Sequence, residues 1–196
     1  GAVTLSESSQ TNGFYSNGAV DVADQTVTLL DANDAVFDSG AAVDLGDTGA
    51  GTMNAAGGLT LDFGGNIGGF GTIDTPDNPA TPVTNNGNIT GNSLAEPVTL
   101  TGYVQGVCTC DNCNITGTDA PGFSPATVIR GSVAYNGVLE IELAGVGLGQ
   151  FDRIEHILGS GIADLGGTLD VSLLGGFTPD VGDTFEIITD ADRSEE

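Results

Sequence analysis

The feature that most constrains this chain is how often it is interrupted. Short runs of β-branched and aliphatic residues recur along its length, and each is closed within a few residues by Gly, Asn or Asp. Examples are residues 26–30 (TVTLL), 35–37 (AVF), 42–45 (AVDL), 59–63 (LTLDF), 127–133 (TVIRGSV), 138–143 (VLEIEL), 169–173 (LDVSL) and 185–188 (FEII). In the first third the runs begin about 7 to 18 residues apart, a spacing that belongs to all-β sandwiches, barrels and solenoids. No window carries a 3.6-residue apolar period. The nearest approach, residues 153–158, is too short to hold a helix.

Composition decides between the β architectures. Of 196 residues, 32 are Gly, none is Trp, and the rings amount to 8 Phe and 3 Tyr. A sandwich usually anchors its core on a large aromatic and alternates strictly. A solenoid instead stacks small aliphatics rung upon rung and turns its corners with Gly, Asn and Asp. The chain therefore reads as an all-β parallel solenoid, with a β-sandwich as the alternative. The strict alternation from Val138 onward admits a small sandwich-like C-terminal part. The Pro-rich stretch 74–82 (DTPDNPATP) is a loop leaving the rungs. A second Pro/Gly loop at 119–125 divides solenoid rungs in 1–118 from a C-terminal solenoid or cap region in 119–196.

Charge removes several functions. There are 27 Asp+Glu against 3 Lys+Arg, a formal charge of −24, and no Lys at all. Nucleic acid needs a basic patch that three Arg cannot build, and no apolar run reaches the roughly 20 residues of a membrane helix. Dispersed acid of this kind forms turns and solvated faces. It also offers carboxylate pairs to divalent cations, so calcium is a candidate cofactor and no other is expected.

From residue 117 onward a family resemblance appears. Residues 117–143 (GTDAPGFSPATVIRGSVAYNGVLEIEL), 149–154 (GQFDRI), 167–173 (GTLDVSL) and 182–188 (GDTFEII) are similar to rung motifs of secreted bacterial β-helix proteins. These are the autotransporter-passenger-like proteins and their relatives with PEP-CTERM-type sorting tails. Residues 69–73 (GFGTI) and 85–89 (NNGNI) resemble further rungs of that family. The resemblance covers about 120 residues and implies a right-handed parallel β-helix, extracellular or cell-surface, acting as scaffold, adhesin or matrix component. The family continues past its "F-x-I-I" motif, whereas here the sequence turns polar. With no signal peptide at its start either, the chain reads as a processed product or fragment.

Individual motifs are few. Cys108, Cys110 and Cys113 form one cluster with a single His at 156, short of the two separated pairs that zinc commonly takes, and a metal site is the least favoured of their readings. They are candidates for a disulfide, a cross-link to a neighbouring chain, or buried thiols. Asn88-Ile-Thr and Asn114-Ile-Thr are glycosylation acceptor sequons, although turn and rung chemistry accounts for both. The stretch 190–196 begins like a calcium loop but lacks the Gly and Glu it needs, and 31–34 falls short as well. His156, between apolar neighbours, reads as a satisfied strand histidine. No nucleophile elbow appears. Lyase chemistry on this fold needs basic residues, and Arg130, Arg153 and Arg193 stand far apart in sequence.

The expected function is accordingly non-enzymatic: an extracellular structural module that self-associates into a filament or layer through its solenoid ends. Ala2, Val3, Thr4 and Leu5 form a short apolar strand suited to strand exchange. The alternatives are a glycan-binding adhesin and a polysaccharide-degrading β-helix enzyme.

Overall fold

The structure is a computed structural model, and it describes residues 2–5, 14–30, 32–107, 109–123, 125–156 and 161–190. Among these residues there are twenty-four strands and no helix. Every third strand joins the same sheet, which gives three parallel sheets of eight strands. Sheet I runs from Ala2–Leu5 to Ala163–Leu165, sheet II from Tyr15–Ser16 to Thr168–Leu173, and sheet III from Ala19–Asp21 to Ile188–Asp190. One strand from each sheet makes a rung, so the molecule is a parallel β-helix of eight rungs. All three sheets pass without interruption through 119–125.

The alternating pattern from Val138 is not a sandwich. Val138–Leu143, in rung seven, pairs in parallel with Thr168–Leu173, in rung eight. Residues 153–156, the nearest to helical spacing, form a strand of sheet III. The run 127–133 divides into two strands, Thr127–Arg130 and Val133–Tyr135, on different sheets. The corner between them is fixed by the Asp111 carboxylate, which accepts the Ser132 N–H at 2.7 Å.

The in-register ladders carry the core. On sheet I, Val27, Met53, Ile73, Leu100, Ile115 and Tyr135 stand one above another and are buried. Burying a Leu or Ile side chain of this kind stabilises by roughly 1.5–3 kcal/mol. Equivalent positions recur at intervals between 15 residues (Thr99 to Asn114) and 34 residues (Ile154 to Ile188). Loops absorb the difference, so no fixed repeat length exists in the sequence.

Part of the glycine excess is explained by the corner between sheets I and II. A Cβ on Gly117 would lie 2.2 Å from the Gly102 carbonyl oxygen. On Gly137 it would lie 1.8 Å from that of Gly117, and on Gly167 it would lie 1.9 Å from that of Gly137. The backbone of each rung rests directly on the rung before, and only hydrogen fits between them.

Candidate functional site

The inward ladders of sheets II and III are apolar through the fifth rung and turn polar at the sixth, and that of sheet I turns polar at the seventh. On sheet II, Ala35, Leu59, Val83 and Val104 are followed by Asp119. On sheet III, Val43, Ile67, Ile89 and Cys110 are followed by Arg130 and His156. On sheet I the ladder reaches Tyr135. These four side chains share the interior of rungs six and seven. Arg130 Nη2 donates to Asp119 Oδ1 at 3.1 Å, with the two side chains 2% and 0% exposed. His156 Nδ1 lies 2.6 Å from the Gly131 carbonyl oxygen, and its ring meets Tyr135 edge-on at 6.3 Å between centroids. Burial raises the Tyr135 hydroxyl far above its ordinary value, so it stays protonated. His156 is thus a satisfied strand histidine. The cluster is sealed from solvent and acts within the core.

The chain crosses from rung five to rung six through the cysteines. Cys110, at the end of rung five, and Cys113, at the start of rung six, are joined by a disulfide and are buried. Asn112 between them takes a left-handed conformation (φ 50°) that closes the corner, and its amide donates to the Gly91 carbonyl at 3.2 Å. Cys108 lies outside the described residues.

The two sequon asparagines stand in polar ladders. Asn88 Nδ2 donates to Asn66 Oδ1 at 3.2 Å, and Asn114 Oδ1 accepts from Asn136 Nδ2 at 2.8 Å. Such rung-to-rung amide bonds satisfy side chains on the outer face. Among the described residues no group of three His, Cys, Asp or Glu is arranged to hold a metal ion, and no helix is long and apolar enough to cross a membrane. Residues 191–196 of the incomplete calcium-like loop lie outside the described residues, as does Asp31 of the other.

The two ends of the β-helix differ from its middle. In rung seven, Leu139, Ile141 and Leu143 are buried. Their in-register partners in rung eight, Leu169, Val171 and Leu173, are 51%, 46% and 51% exposed. Leu165, which continues the Tyr135 ladder, is 64% exposed. Part of this end is closed by the loop after residue 173, where Phe185 packs edge-on against Phe151 and Phe177. A small apolar pocket of about 130 Å³ remains there, lined by Tyr135, Leu139, Leu165, Leu169, Ile187 and Ile188 among others. At the opposite end Ala2–Leu5 pairs in register with Thr26–Leu29 and is the outermost strand of sheet I. Phe14 and Val20 pack onto the core from that end.

A second concavity lies on the side, on the outer face of sheet II. In rung six this sheet contributes only Thr118–Asp119. The chain then departs through Ala120-Pro121-Gly122-Phe123, leaving a notch between Gln105 of rung five and Glu140 and Glu142 of rung seven. The notch is a groove of about 350 Å³, lined by Tyr103, Gln105, residues 120–123, Glu140, Glu142 and Asp152. Tyr103 spans it, donating its hydroxyl to Glu140 Oε2 at 2.7 Å. Burial, reinforced by Glu140, raises that hydroxyl above its ordinary range and keeps the donor proton in place. Asp152 braces the floor: one oxygen accepts the Ala126 N–H at 2.7 Å and the other the Glu142 N–H at 2.8 Å. Burial pushes its carboxyl up, against the pull of those two bonds. The Pro-rich loop is anchored nearby, where Asp77 accepts both the N–H and the hydroxyl of Thr118.

Comparison with protein-family models, curated proteins and solved structures finds no match. The polar core and the side groove were not found from sequence. Arg130 carried a usable signal: in Thr127-Val-Ile-Arg130 it alternates into phase with Val128, so a strand that buries one must bury the other. Nothing local pointed to Asp119 as its partner.

Proposed function

We propose that the protein is a non-enzymatic structural module of an extracellular assembly, and that copies join end to end by stacking rung one of one copy on rung eight of the next. The observation that carries this reading is the half-exposed row Leu169, Val171 and Leu173, set against its fully buried counterparts one rung earlier. Sheet ends with unpaired N–H and C=O groups template further strands. Here all three edges of rung eight point the same way and surround apolar side chains. The opposite end offers matching chemistry, since Phe14 and Val20 are inward-facing and Ala2–Leu5 is an edge strand. Joining unlike ends is a heterologous contact that need not close, and so builds filaments. The buried disulfide supports an oxidising, extracellular setting.

Electron microscopy and sedimentation test the proposal. The charge of −24 opposes association at low salt, so rods longer than one molecule are expected to appear as salt is raised. Val171→Lys, which places a charge at the centre of the exposed row, is expected to return the chain to monomers. A chain that stays monomeric at high salt and high concentration overturns the reading. So does assembly that Val171→Lys leaves unchanged.

A further inference from the structure

We propose that the groove on sheet II binds a protonated amino sugar within an oligosaccharide. This site is separate from the solenoid ends and does not depend on the assembly proposed above.

The groove exists because rung six stops short. Strands two rungs apart, such as those of rungs five and seven, are separated by about 9–10 Å, and Tyr103 covers that distance to reach Glu140 across the gap. A strand of ordinary length in rung six would have filled the gap, and the loop 120–123 instead forms one wall. Three features of the lining set the ligand chemistry. First, Glu140 and Glu142 alternate along one strand and both project from the outer face, so their Cα atoms are about 6.5–7 Å apart. Two acceptors at that separation suit a rigid molecule presenting several donors. Second, Tyr103 lines the groove and Phe123, 59% exposed, stands on its wall, giving ring surface beside carboxylates. That combination favours a cation with an apolar face, held by charge-assisted hydrogen bonds and by attraction to the rings. Third, no Arg among the described residues lines the groove, and the chain has no Lys, so an anionic sugar such as a uronate would meet repulsion from the carboxylates there.

A simple alkyl ammonium, such as a lysine side chain, would engage one carboxylate and leave the second without a partner. A hexosamine ring engages both, one through its ammonium and the other through hydroxyls, while its face lies against a ring. The volume is at the lower end of the range for small-molecule sites, in keeping with one or two sugar rings in a longer chain.

The test is calorimetric titration of the full chain with a glucosamine oligomer, its fully N-acetylated counterpart, a neutral glucose oligomer and a short lysine oligomer. Glu140→Gln/Glu142→Gln removes two charges from the groove. Asp21→Asn/Asp47→Asn removes two exposed charges from the opposite half of the molecule, leaving the same net charge. Phe123→Ala removes the exposed ring. Thermal unfolding of each variant establishes that it is folded. The glucosamine oligomer is expected to bind more tightly than the other three. Its affinity is expected to fall about tenfold or more in the groove double variant, the scale of one lost charge-assisted hydrogen bond. It should fall measurably in Phe123→Ala and hold in the charge-matched control. Equal losses in the groove variant and the control would mean diffuse attraction to an acidic surface and would overturn the site. Lysine oligomer binding as tightly as glucosamine, or no binding by any ligand, would overturn it as well.

Discussion

Replacing Arg130 by Met would remove one half of an ion pair that solvent does not reach. The two side chains are 2% and 0% exposed and meet through one bond of 3.1 Å. With Arg130 gone, Asp119 must either hold a charge in the core or take up a proton, and breaking a buried pair in this way costs about 3–5 kcal/mol. Changing both partners to apolar residues, Asp119→Leu with Arg130→Met, removes the uncompensated charge as well. Such replacements range from neutral to stabilising by about 1–4 kcal/mol, so the double variant should be markedly more stable than Arg130→Met alone. Urea unfolding of wild type, both single variants and the double variant closes the cycle. The chain has no Trp, so its three tyrosines supply the fluorescence, and Tyr135 lies in the same cluster. Far-UV circular dichroism recorded alongside detects rungs that melt separately, which solenoids can do. If Arg130→Met costs less than about 1 kcal/mol, or the double variant is no better than the single, the pair does not bear on the core as argued here.

Three further outcomes are expected. Gly137→Ala drives a Cβ to 1.8 Å from the Gly117 carbonyl oxygen, so it should cost at least the roughly 1–3 kcal/mol of an overpacked core. The same change at Gly18, where a Cβ would meet nothing within 4 Å, should be near neutral by the same urea assay. Replacing Cys110 and Cys113 by Ser opens a loop of four residues, and the chain-entropy relation gives a loss of about 2 kcal/mol, read as a lower urea midpoint. Asp152 has a folded-state pKa raised above the ordinary 3.8 by burial. Its native form therefore holds the proton more tightly than the unfolded chain does. Its contribution to stability is full below 3.8 and is lost as pH rises through the raised value. The stability difference between wild type and Asp152→Asn should accordingly change with pH in that window and be flat well above it. A flat difference across the window would remove the assignment.

The architecture was legible because its causes are local. Runs such as Leu59–Leu61 and Val138–Leu143 alternate with the period of a strand, and the glycines between them admit corners that other residues could not make. The cysteines could be read as closing a turn for the same reason, since Cys110 and Cys113 are separated by a single corner. The polar core was not legible because it depends on register. Asp119 sits at the edge of a Pro/Gly loop in sequence, and only the ladder Val104–Asp119–Leu139 turns it inward to meet Arg130. The groove was hidden for a related reason. It is produced by a strand that is too short, and a missing stretch of pairing leaves no mark in the composition of its neighbours. The variable rung length, 15 to 34 residues, concealed the repeat itself.

The column of glycines at 102, 117, 137 and 167 works as a spine against which each turn of the coil is pressed. A bulkier residue at one level would push on the carbonyl of the level before it, so that edge has little freedom to drift one position at a time. The other corners are pressed in the same way at single levels, as at Gly71 and Gly87, and the excursions at 74–82, one rung before the column begins, and at 144–150 show how far the coil can swell where no glycine is stacked. Novelty in a molecule built this way is expected to accumulate on the loops, while the hinge side keeps the same bare profile from one turn to the next.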